Sequence, residues 1–155
     1  MNVFEKIGKL LDEKGIKYEK FEHEPVLTSE QAAATRGNPL GMGAKAMVMR
    51  SEGKFVMAVI SGEKKIDMKK LKKIIRSKSL SFATSEEVMN ITGCEVGGVP
   101  PFGNLFDIPV FLDKHIMKYP KIDFNAGLRT HSIEMPMEKY VEVVKPRVSD
   151  FAKPL

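Results

Sequence analysis

The chain has 155 residues, of which 43% are apolar and 29% are charged, a balance typical of a folded globular protein rather than a disordered one. No apolar run approaches the roughly 18 residues that a transmembrane helix needs, and the opening segment mixes acids and lysines into an apolar pattern unlike that of a signal peptide. We therefore expect a cytoplasmic protein without a membrane partner. The single cysteine, Cys94, excludes an internal disulfide framework and a multi-cysteine zinc site.

The positive charge is concentrated in one segment. The formal net charge is +5 and the pI is about 9.2, which favours an anionic partner. Between Glu63 and Lys78, eight basic residues oppose two acidic ones, so this segment carries +6 and the rest of the chain sums to −1. The basic residues are Lys64, Lys65, Lys69, Lys70, Lys72, Lys73, Arg76 and Lys78.

Hydrophobic periodicity and helix-capping signals predict two helices and three strands in the first half of the chain. In order, they are an amphipathic helix from Val3 that Gly15 ends, a strand from Ile16 to Phe21, a helix opened by the capping box Thr28 and Gln31 and ended by Gly37, and two strands over 44–50 and 55–60 joined as a hairpin. A loop rich in glycine and proline, residues 37–43, precedes the hairpin.

The second half predicts helices and strands without strict alternation. In order, they are a basic helix with Leu71, Ile74 and Ile75 on its apolar face, a strand over 80–83, a helix opened by the capping box Thr84 and Glu87 and ended by Gly93, strands over 108–112, 121–125 and 132–135, and a closing helix with Pro136 in its first turn. The pattern predicts the α+β (mixed α/β) class, with a curved mixed sheet flanked by helices in a single domain over residues 1–155.

Common catalytic motifs are missing from the sequence. The three histidines, His23, His115 and His131, match no zinc signature, and neither a GxSxG motif nor a Walker phosphate loop is present. His23 and His115 lie in polar contexts, so each is expected to be a solvated imidazole. By motif alone, the residues indicate a basic α/β domain.

One loop is unusual. In Gly97-Gly98-Val99-Pro100-Pro101, two unrestricted residues come shortly before two residues whose φ is fixed at about −65°. Such a loop can be rigid and can direct the N–H groups of Gly97, Gly98 and Val99 at a carbonyl or phosphate oxygen. A tight structural crossover is the alternative explanation.

Five segments in this order resemble the YbaK/prolyl-tRNA synthetase editing-domain family: GAKAMVM with Lys45, SGEKKIDMKKLKK, SEEVMNITG, GGVPPFG and FNAGLRTHSIEM. The resemblance covers nearly the whole chain, and Gly97 to Pro101 fits the family's GxxxP pattern. It implies a curved mixed sheet with surrounding helices and an aminoacyl-tRNA deacylase, an enzyme that hydrolyses the ester between a wrong amino acid and its tRNA. Family members are free-standing or are inserted within prolyl-tRNA synthetase.

The resemblance also implies roles for individual residues. Lys45 would contact the phosphate or the terminal adenosine of the acceptor end. Our own hypothesis adds that the amides of the GxxxP loop stabilise the oxyanion. Residues expected to bind or shape the substrate are Thr28, Pro100, Pro101, Gly103, Asn125, Gly127 and His131, the last of which is either a pocket residue or a bystander. The density of basic residues, apart from the resemblance, favours a contact of this segment with the tRNA backbone, and a solvated helix face is the alternative. The lysines concerned are Lys64, Lys65, Lys69, Lys70, Lys72 and Lys73. No metal or cofactor is expected.

An aminoacyl ester is already activated, so the predicted mechanism needs a positioned water or ribose hydroxyl and oxyanion donors rather than a side-chain nucleophile. The expected substrate is a small amino acid such as cysteine or alanine on the tRNA for proline. A prolyl-tRNA synthetase is a further candidate partner, and a monomer or weak dimer is expected. The alternative functions are a non-catalytic tRNA- or nucleotide-binding module and an accessory subunit of an aminoacyl-tRNA synthetase.

Overall fold

The computed structural model describes residues 1–25 and 28–155. Five α-helices lie in this part: α1 (Val3–Glu13), α2 (Ser29–Arg36), α3 (Met68–Ile75), α4 (Ser85–Thr92) and α5 (Met137–Val144). Both predicted capping boxes are present. The side chains of Thr28 and Thr84 each accept a hydrogen bond from the main-chain N–H of the third helical residue, Gln31 or Glu87. The side chain of that third residue accepts one from the main-chain N–H of the threonine. Gly37 and Gly93 end these two helices with φ of 72°.

The strands of the described residues form three hydrogen-bonded sheets. The largest has the order β5 (Leu80–Phe82), β2 (Ala44–Ser51), β3 (Lys54–Ser61), β6 (Val110–Asp113) and β9 (Arg147–Ser149). Its β3–β6 and β6–β9 pairs are parallel and the others antiparallel. An antiparallel sheet has the order β1 (Glu19–Glu22), β8 (His131–Pro136) and β7 (Lys121–Leu128), and a ribbon pairs β10 (Ala152–Pro154) with β4 (Lys64–Ile66).

The two larger sheets meet at a bridge between Gly43 and Asp123. The main apolar core lies between them and is closed by α1, α4 and α5, with Phe102, Phe124 and Tyr140 fully buried. A smaller core on the opposite face of the five-stranded sheet is covered by α3. This arrangement confirms the predicted α+β class with mixed β-structure.

The predicted β2–β3 hairpin is present and has a tight turn. Glu52 and Gly53 have φ of 50° and 81°, the two positive values that a two-residue turn of right-handed twist requires. The strand predicted from Ile16 to Phe21 lies instead at Glu19–Glu22.

The predicted basic helix is shorter than the basic segment. Lys64 and Lys65 lie in β4, and the helix starts after Asp67, whose side chain accepts the amides of Lys69 and Lys70. The partner of β4 is the C-terminal strand, which the buried Asp113 carboxylate holds by accepting the Phe151 and Ala152 amides at 2.8 and 2.9 Å. Among the described residues, no helix is long and apolar enough to span a membrane.

Candidate functional site

A cavity of about 290 Å³ opens beside the bridge between the two larger sheets. Helix α2, the first half of β2, the segment from Val96 to Val99, and β7 contribute its walls. Its polar lining consists of Thr28, Arg36, Lys45, Asn125 and Arg129. Its apolar lining consists of Ala32, Ala44, Ala46, Met47, Val96 and Val99, with Gly43 and Gly97 completing the wall.

The cavity is positively charged. Three of its side chains are cations, and no carboxylate lines it among the described residues. The buried Arg36 pairs with Asp123, and Arg129 pairs with the exposed Glu95 at 2.8 Å. Lys45, in contrast, forms no salt bridge within residues 1–25 and 28–155, so its charge is available to an anionic ligand.

Lys45 is fixed at the second position of β2, at the strand end that the sequence predicted. Its Nζ donates to the Lys64 carbonyl at 2.5 Å, which ties the cavity to the β4–β10 ribbon. Burial lowers the pKa of the Lys45 amine, and the nearby Glu30 opposes this shift. An ammonium with two remaining donors at the cavity wall can hold a phosphate oxygen.

The edge of β2 offers main-chain groups to the same cavity. Within the described residues, β5 pairs with β2 from Met49 to Ser51, and the Val48 carbonyl accepts the Ala83 amide at 3.0 Å. Because main-chain groups of alternate residues point to the same side in an antiparallel strand, the N–H and C=O of Ala46 face this open side beyond β5. They are further candidates for contacts with a ligand.

Two residues of strand β7 form hydrogen bonds with the carbonyl groups of the GxxxP loop. Asn125 Nδ2 donates to the Gly97 carbonyl at 2.6 Å, and the Gly127 amide donates to the Gly98 carbonyl at 2.8 Å. In a trans peptide the N–H points away from the C=O of the same unit. The Val99 amide is therefore directed away from β7.

The three loop amides are not equivalent. The Gly98 amide donates to the Glu95 carbonyl at 2.9 Å, so it already has an acceptor within the protein. The amides of Gly97 and Val99 donate no hydrogen bond to the described residues. Gly97 and Val99 line the cavity, whereas Gly98 does not. These two amides remain candidates for oxyanion donors.

A buried polar network lies behind the loop, and it was not predicted from the sequence. Arg36 and Asp123, whose side chains are 4% and 1% exposed, form its ion pair. Arg36 Nη2 also donates to Asn125 Oδ1 at 2.8 Å, and Arg36 Nε donates to Ser132 Oγ at 3.0 Å. Asn38 Nδ2 donates to the second carboxylate oxygen of Asp123 at 2.8 Å.

Helical periodicity could have drawn attention to Arg36. The N-cap Thr28 and the α2 residues Ala32 and Arg36 are spaced four residues apart, so they follow one side of the helix, and all three line the cavity. The partners of Arg36 are about 85–100 residues further along the chain, and no local pattern connects them.

Two predicted substrate residues support the loop instead of lining the cavity. Pro100 and Pro101 are buried, and the Pro101 carbonyl accepts the Tyr140 hydroxyl at 2.6 Å. Gly103 is buried too, and a Cβ at this position would lie 2.5 Å from a Val110 methyl group. None of the three residues lines the cavity, so a contact of Pro100, Pro101 or Gly103 with the substrate stays a prediction.

Gly127 and His131 likewise lie outside the cavity wall. Gly127 has φ of 97°, and a Cβ there would approach Val3 Cβ to 2.8 Å, so glycine allows close packing of α1. The His131 ring meets Phe4 edge-on at 4.8 Å, and its Nδ1 lies 2.8 Å from Thr130 Oγ1. Of the two readings of His131, the structure supports the bystander.

The other two histidines are not simply solvated, which corrects the expectation for both. His23 Nδ1 donates to the Glu24 carbonyl at 2.8 Å, and its Nε2 lies 2.7 Å from Ser132 Oγ, next to the Arg36 network. His115 Nε2 lies 2.6 Å from the Glu63 carboxylate. That hydrogen bond is the largest cause of the lowered pKa of Glu63.

The basic surface begins directly beside the cavity. Lys64 and Lys65 lie on β4, and four further predicted residues lie on α3: Lys69, Lys70, Lys72 and Lys73. Lys153 on β10 is the cross-strand partner of Lys65, a like-charged pair that an anionic partner would stabilise. No local pattern in the sequence predicts this pair.

No group of three or more metal-ligating side chains exists among the residues that the structure describes. Cys94 is buried, and burial raises the pKa of its thiol, which disfavours the reactive thiolate. Within residues 1–25 and 28–155, the geometry thus defines a class: an α+β protein whose cavity contains a lysine without a salt bridge and two main-chain amides without an acceptor.

The chain belongs to the aminoacyl-tRNA editing domain family, whose model matches residues 23–143. This match confirms the resemblance inferred from the five sequence segments. The match runs from the polypeptide before α2 to the last turn of α5 and contains every residue that lines the cavity.

Three relatives illustrate the similarity. The multifunctional Ser/Thr-tRNA deacylase ProXp-y of Escherichia coli (strain K12) is 29% identical over 149 residues, covering 93% of this chain and 89% of its own length. The proline–tRNA ligase of Bacillus licheniformis is 36% identical over 92 residues, covering 59% of this chain but 16% of the ligase. A crystal structure of a proposed trans-editing enzyme for prolyl-tRNA synthetase superimposes with a TM-score of 0.86 at 24% identity, over 99% of this chain and 98% of that chain.

Proposed function

We propose that the chain is a trans-editing hydrolase that removes a wrongly attached amino acid from tRNA by hydrolysing the aminoacyl ester. One observation carries the proposal: Lys45, which forms no salt bridge with the described residues, and the amides of Gly97 and Val99, which donate to none of them, surround one space. Membership in the editing family supports the same reaction.

The loop amides would act on the reacting ester. Attack of a positioned water, or of the neighbouring ribose hydroxyl, on the ester carbonyl produces a tetrahedral oxyanion. Amides of Gly97 and Val99 directed at that oxygen stabilise it without reorganisation, and one such donor contributes about 2.7–4 kcal/mol in other enzymes. No side-chain nucleophile is required, because the ester is already activated.

Lys45 would hold the acceptor end of the tRNA. Its ammonium can bind a phosphate as a point charge, and its hydrogen bond to the Lys64 carbonyl fixes its position. The terminal nucleotide would then lie beside the β4–β10 ribbon, from which Lys65 and Lys153 project. We further propose that the lysines of α3 contact the tRNA backbone beyond this ribbon, with an affinity that falls steeply as salt rises.

The substrate would carry a small amino acid. The cavity has a volume of about 290 Å³, and Thr28 adds a polar group to the wall formed by the side chains of Ala32, Ala44 and Ala46. The E. coli relative acts on seryl and threonyl esters, which adds these two to the alanyl and cysteinyl esters predicted here. A pocket of this kind discriminates between amino acids of similar size by about 1–3 kcal/mol. A few contacts therefore set the preference among the seryl, threonyl, alanyl and cysteinyl esters.

We propose the tRNA for proline as the carrier, because a proline–tRNA ligase contains a segment similar to this chain. Association with a prolyl-tRNA synthetase, a cytoplasmic location and a monomeric or weakly dimeric state remain predictions. One domain over residues 1–155 is likewise part of the proposal, supported by the close packing of α1 against β7 at Gly127.

Deacylation of radiolabelled seryl-, threonyl-, alanyl- and cysteinyl-tRNA would test the proposal, with Lys45→Ala beside the wild type. Rapid release by the wild type and loss of at least about tenfold in kcat/KM by the variant are expected, since one lost charge-assisted contact is worth about 1.5–3 kcal/mol. Lys6→Ala is the matched control, because Lys6 is an exposed lysine on α1. Salt-dependent tRNA binding without release of any amino acid would instead identify a binding module.

A further inference from the structure

We infer that Asn125 is a positioning residue for the editing reaction, which fixes the GxxxP loop by joining it to the buried Arg36–Asp123 ion pair. The inference rests on the proposed function. Its basis is a continuous chain of contacts: Asp123 accepts from Arg36, Arg36 donates to Asn125 at 2.8 Å, and Asn125 donates to the Gly97 carbonyl at 2.6 Å.

The orientation of the Asn125 amide follows from its neighbours. A guanidinium only donates hydrogen bonds, so the Asn125 atom that faces Arg36 must be the oxygen. The NH₂ group then faces the Gly97 carbonyl, which only accepts. Both ends of this side chain are therefore matched, and no other neutral side chain of the same size has one donor and one acceptor in this arrangement.

Arg36 is itself immobilised. Its side chain is 4% exposed, and beyond Asp123 it donates to Ser132 Oγ at 3.0 Å. A buried ion pair with several hydrogen bonds has little freedom, because leaving any of its groups unpaired is costly. Asn125 therefore connects the Gly97 carbonyl of the loop to a rigid part of the core.

The Asn125 contact holds the peptide plane between Gly97 and Gly98, which directly precedes the plane of the Val99 amide. With the Gly97 carbonyl held by Asn125 and the Gly98 carbonyl held by the Gly127 amide, two successive peptide planes are fixed. The second plane carries the Val99 N–H, directed away from β7 and unbonded among the described residues. Without Asn125, the first plane keeps only the hydrogen bond from the Gly98 amide to the Glu95 carbonyl, next to a glycine with φ of 92° that has no side chain to restrain it.

Two substitutions separate this role from a direct effect on the substrate. Asn125→Asp keeps an acceptor for Arg36 but presents a second acceptor to the Gly97 carbonyl and adds negative charge to the cavity. Asn125→Leu has a similar shape, adds no charge and removes both hydrogen bonds. If Asn125 positions the loop, both variants should lose about 10²-fold in kcat while the KM for the charged tRNA changes little.

The matched control is Asn104→Asp, which makes the same change of charge at an exposed residue outside the cavity wall and should keep kcat. Amide ¹H–¹⁵N spectra provide a readout that does not depend on activity. In both Asn125 variants the signals of Gly97, Gly98 and Val99 should shift or broaden, while the rest of the spectrum shows a folded protein.

The inference is overturned if Asn125→Leu retains kcat and its loop signals. It is also overturned if Asn125→Asp alone is impaired and the change is in KM, because that pattern reports repulsion of the phosphate. Absence of deacylation by the wild-type protein would refute the proposed function, but the loop spectra would still test the positioning role of Asn125.

Discussion

Replacing Asp123 with asparagine should destabilise the protein far more than the loss of an average ion pair. The Asp123 carboxylate is 1% exposed, and each of its oxygens accepts from a different donor, one from Arg36 and one from Asn38. An asparagine NH₂ group would face one of these donors in either orientation. The Arg36 side chain, 4% exposed, would keep its charge without a counter-ion.

Removing one partner of a buried ion pair costs about 3–5 kcal/mol, against a total stability of about 5–15 kcal/mol for a typical domain. For a domain of this size, that loss corresponds to a fall in Tm of about 6–20 °C. Urea unfolding followed by circular dichroism measures the free energy, and differential scanning calorimetry measures Tm.

The control for Asp123→Asn is Lys9→Gln, which removes the exposed ion pair of Lys9 with Glu13, whose side chains are 61% and 63% exposed. Its expected cost is below about 0.5 kcal/mol. A loss below about 1 kcal/mol for Asp123→Asn, or a loss equal to that of the control, would refute the reasoning that Arg36 depends on this carboxylate.

Three further predictions concern the framework of the site. Tyr140→Phe leaves the buried Pro101 carbonyl without its donor, so it should lower the free energy of unfolding by about 1–3 kcal/mol in urea titrations. In the folded protein the pKa of Glu63 is lowered, first by its hydrogen bond with His115. Glu63 therefore stabilises the fold above its unfolded pKa of about 4.3, and this stabilisation is lost as the pH falls through its lower pKa in the folded protein. Glu63→Gln should make the free energy of unfolding depend less on pH in this acidic range. Unfolding measured from pH 3 to pH 7 checks it, and unchanged pH dependence would contradict it. Gly103→Ala should reduce Tm, because the added Cβ would lie 2.7 Å from the Ile108 carbonyl oxygen. An unaltered Tm would show that the loop can move to accommodate the methyl group.

Local signals in the sequence determined much of the framework. The capping residues Thr28 and Thr84, the hairpin turn at Glu52 and Gly53, and the placement of Lys45 at a strand end each depend on a few adjacent residues. Such features could be predicted because capping, turn geometry and alternation act over three or four residues.

The ends of the basic segment show where local reasoning failed. The lysines before Asp67 have a helix-compatible pattern, yet they form β4 because β10, far along the chain, supplies a partner for their main chain. A strand of three residues gains its stability from that pairing and not from its own composition.

The composition of the chain decided that it folds, that it is basic in one segment, and that Lys45 and the glycines of the GxxxP loop stand out. The tertiary structure decided which loop amides are unbonded and that Arg36, Asp123 and Asn125 support them. The physical reason is that hydrogen bonds inside the protein join residues by proximity in space, so a buried network leaves no periodic trace in the sequence.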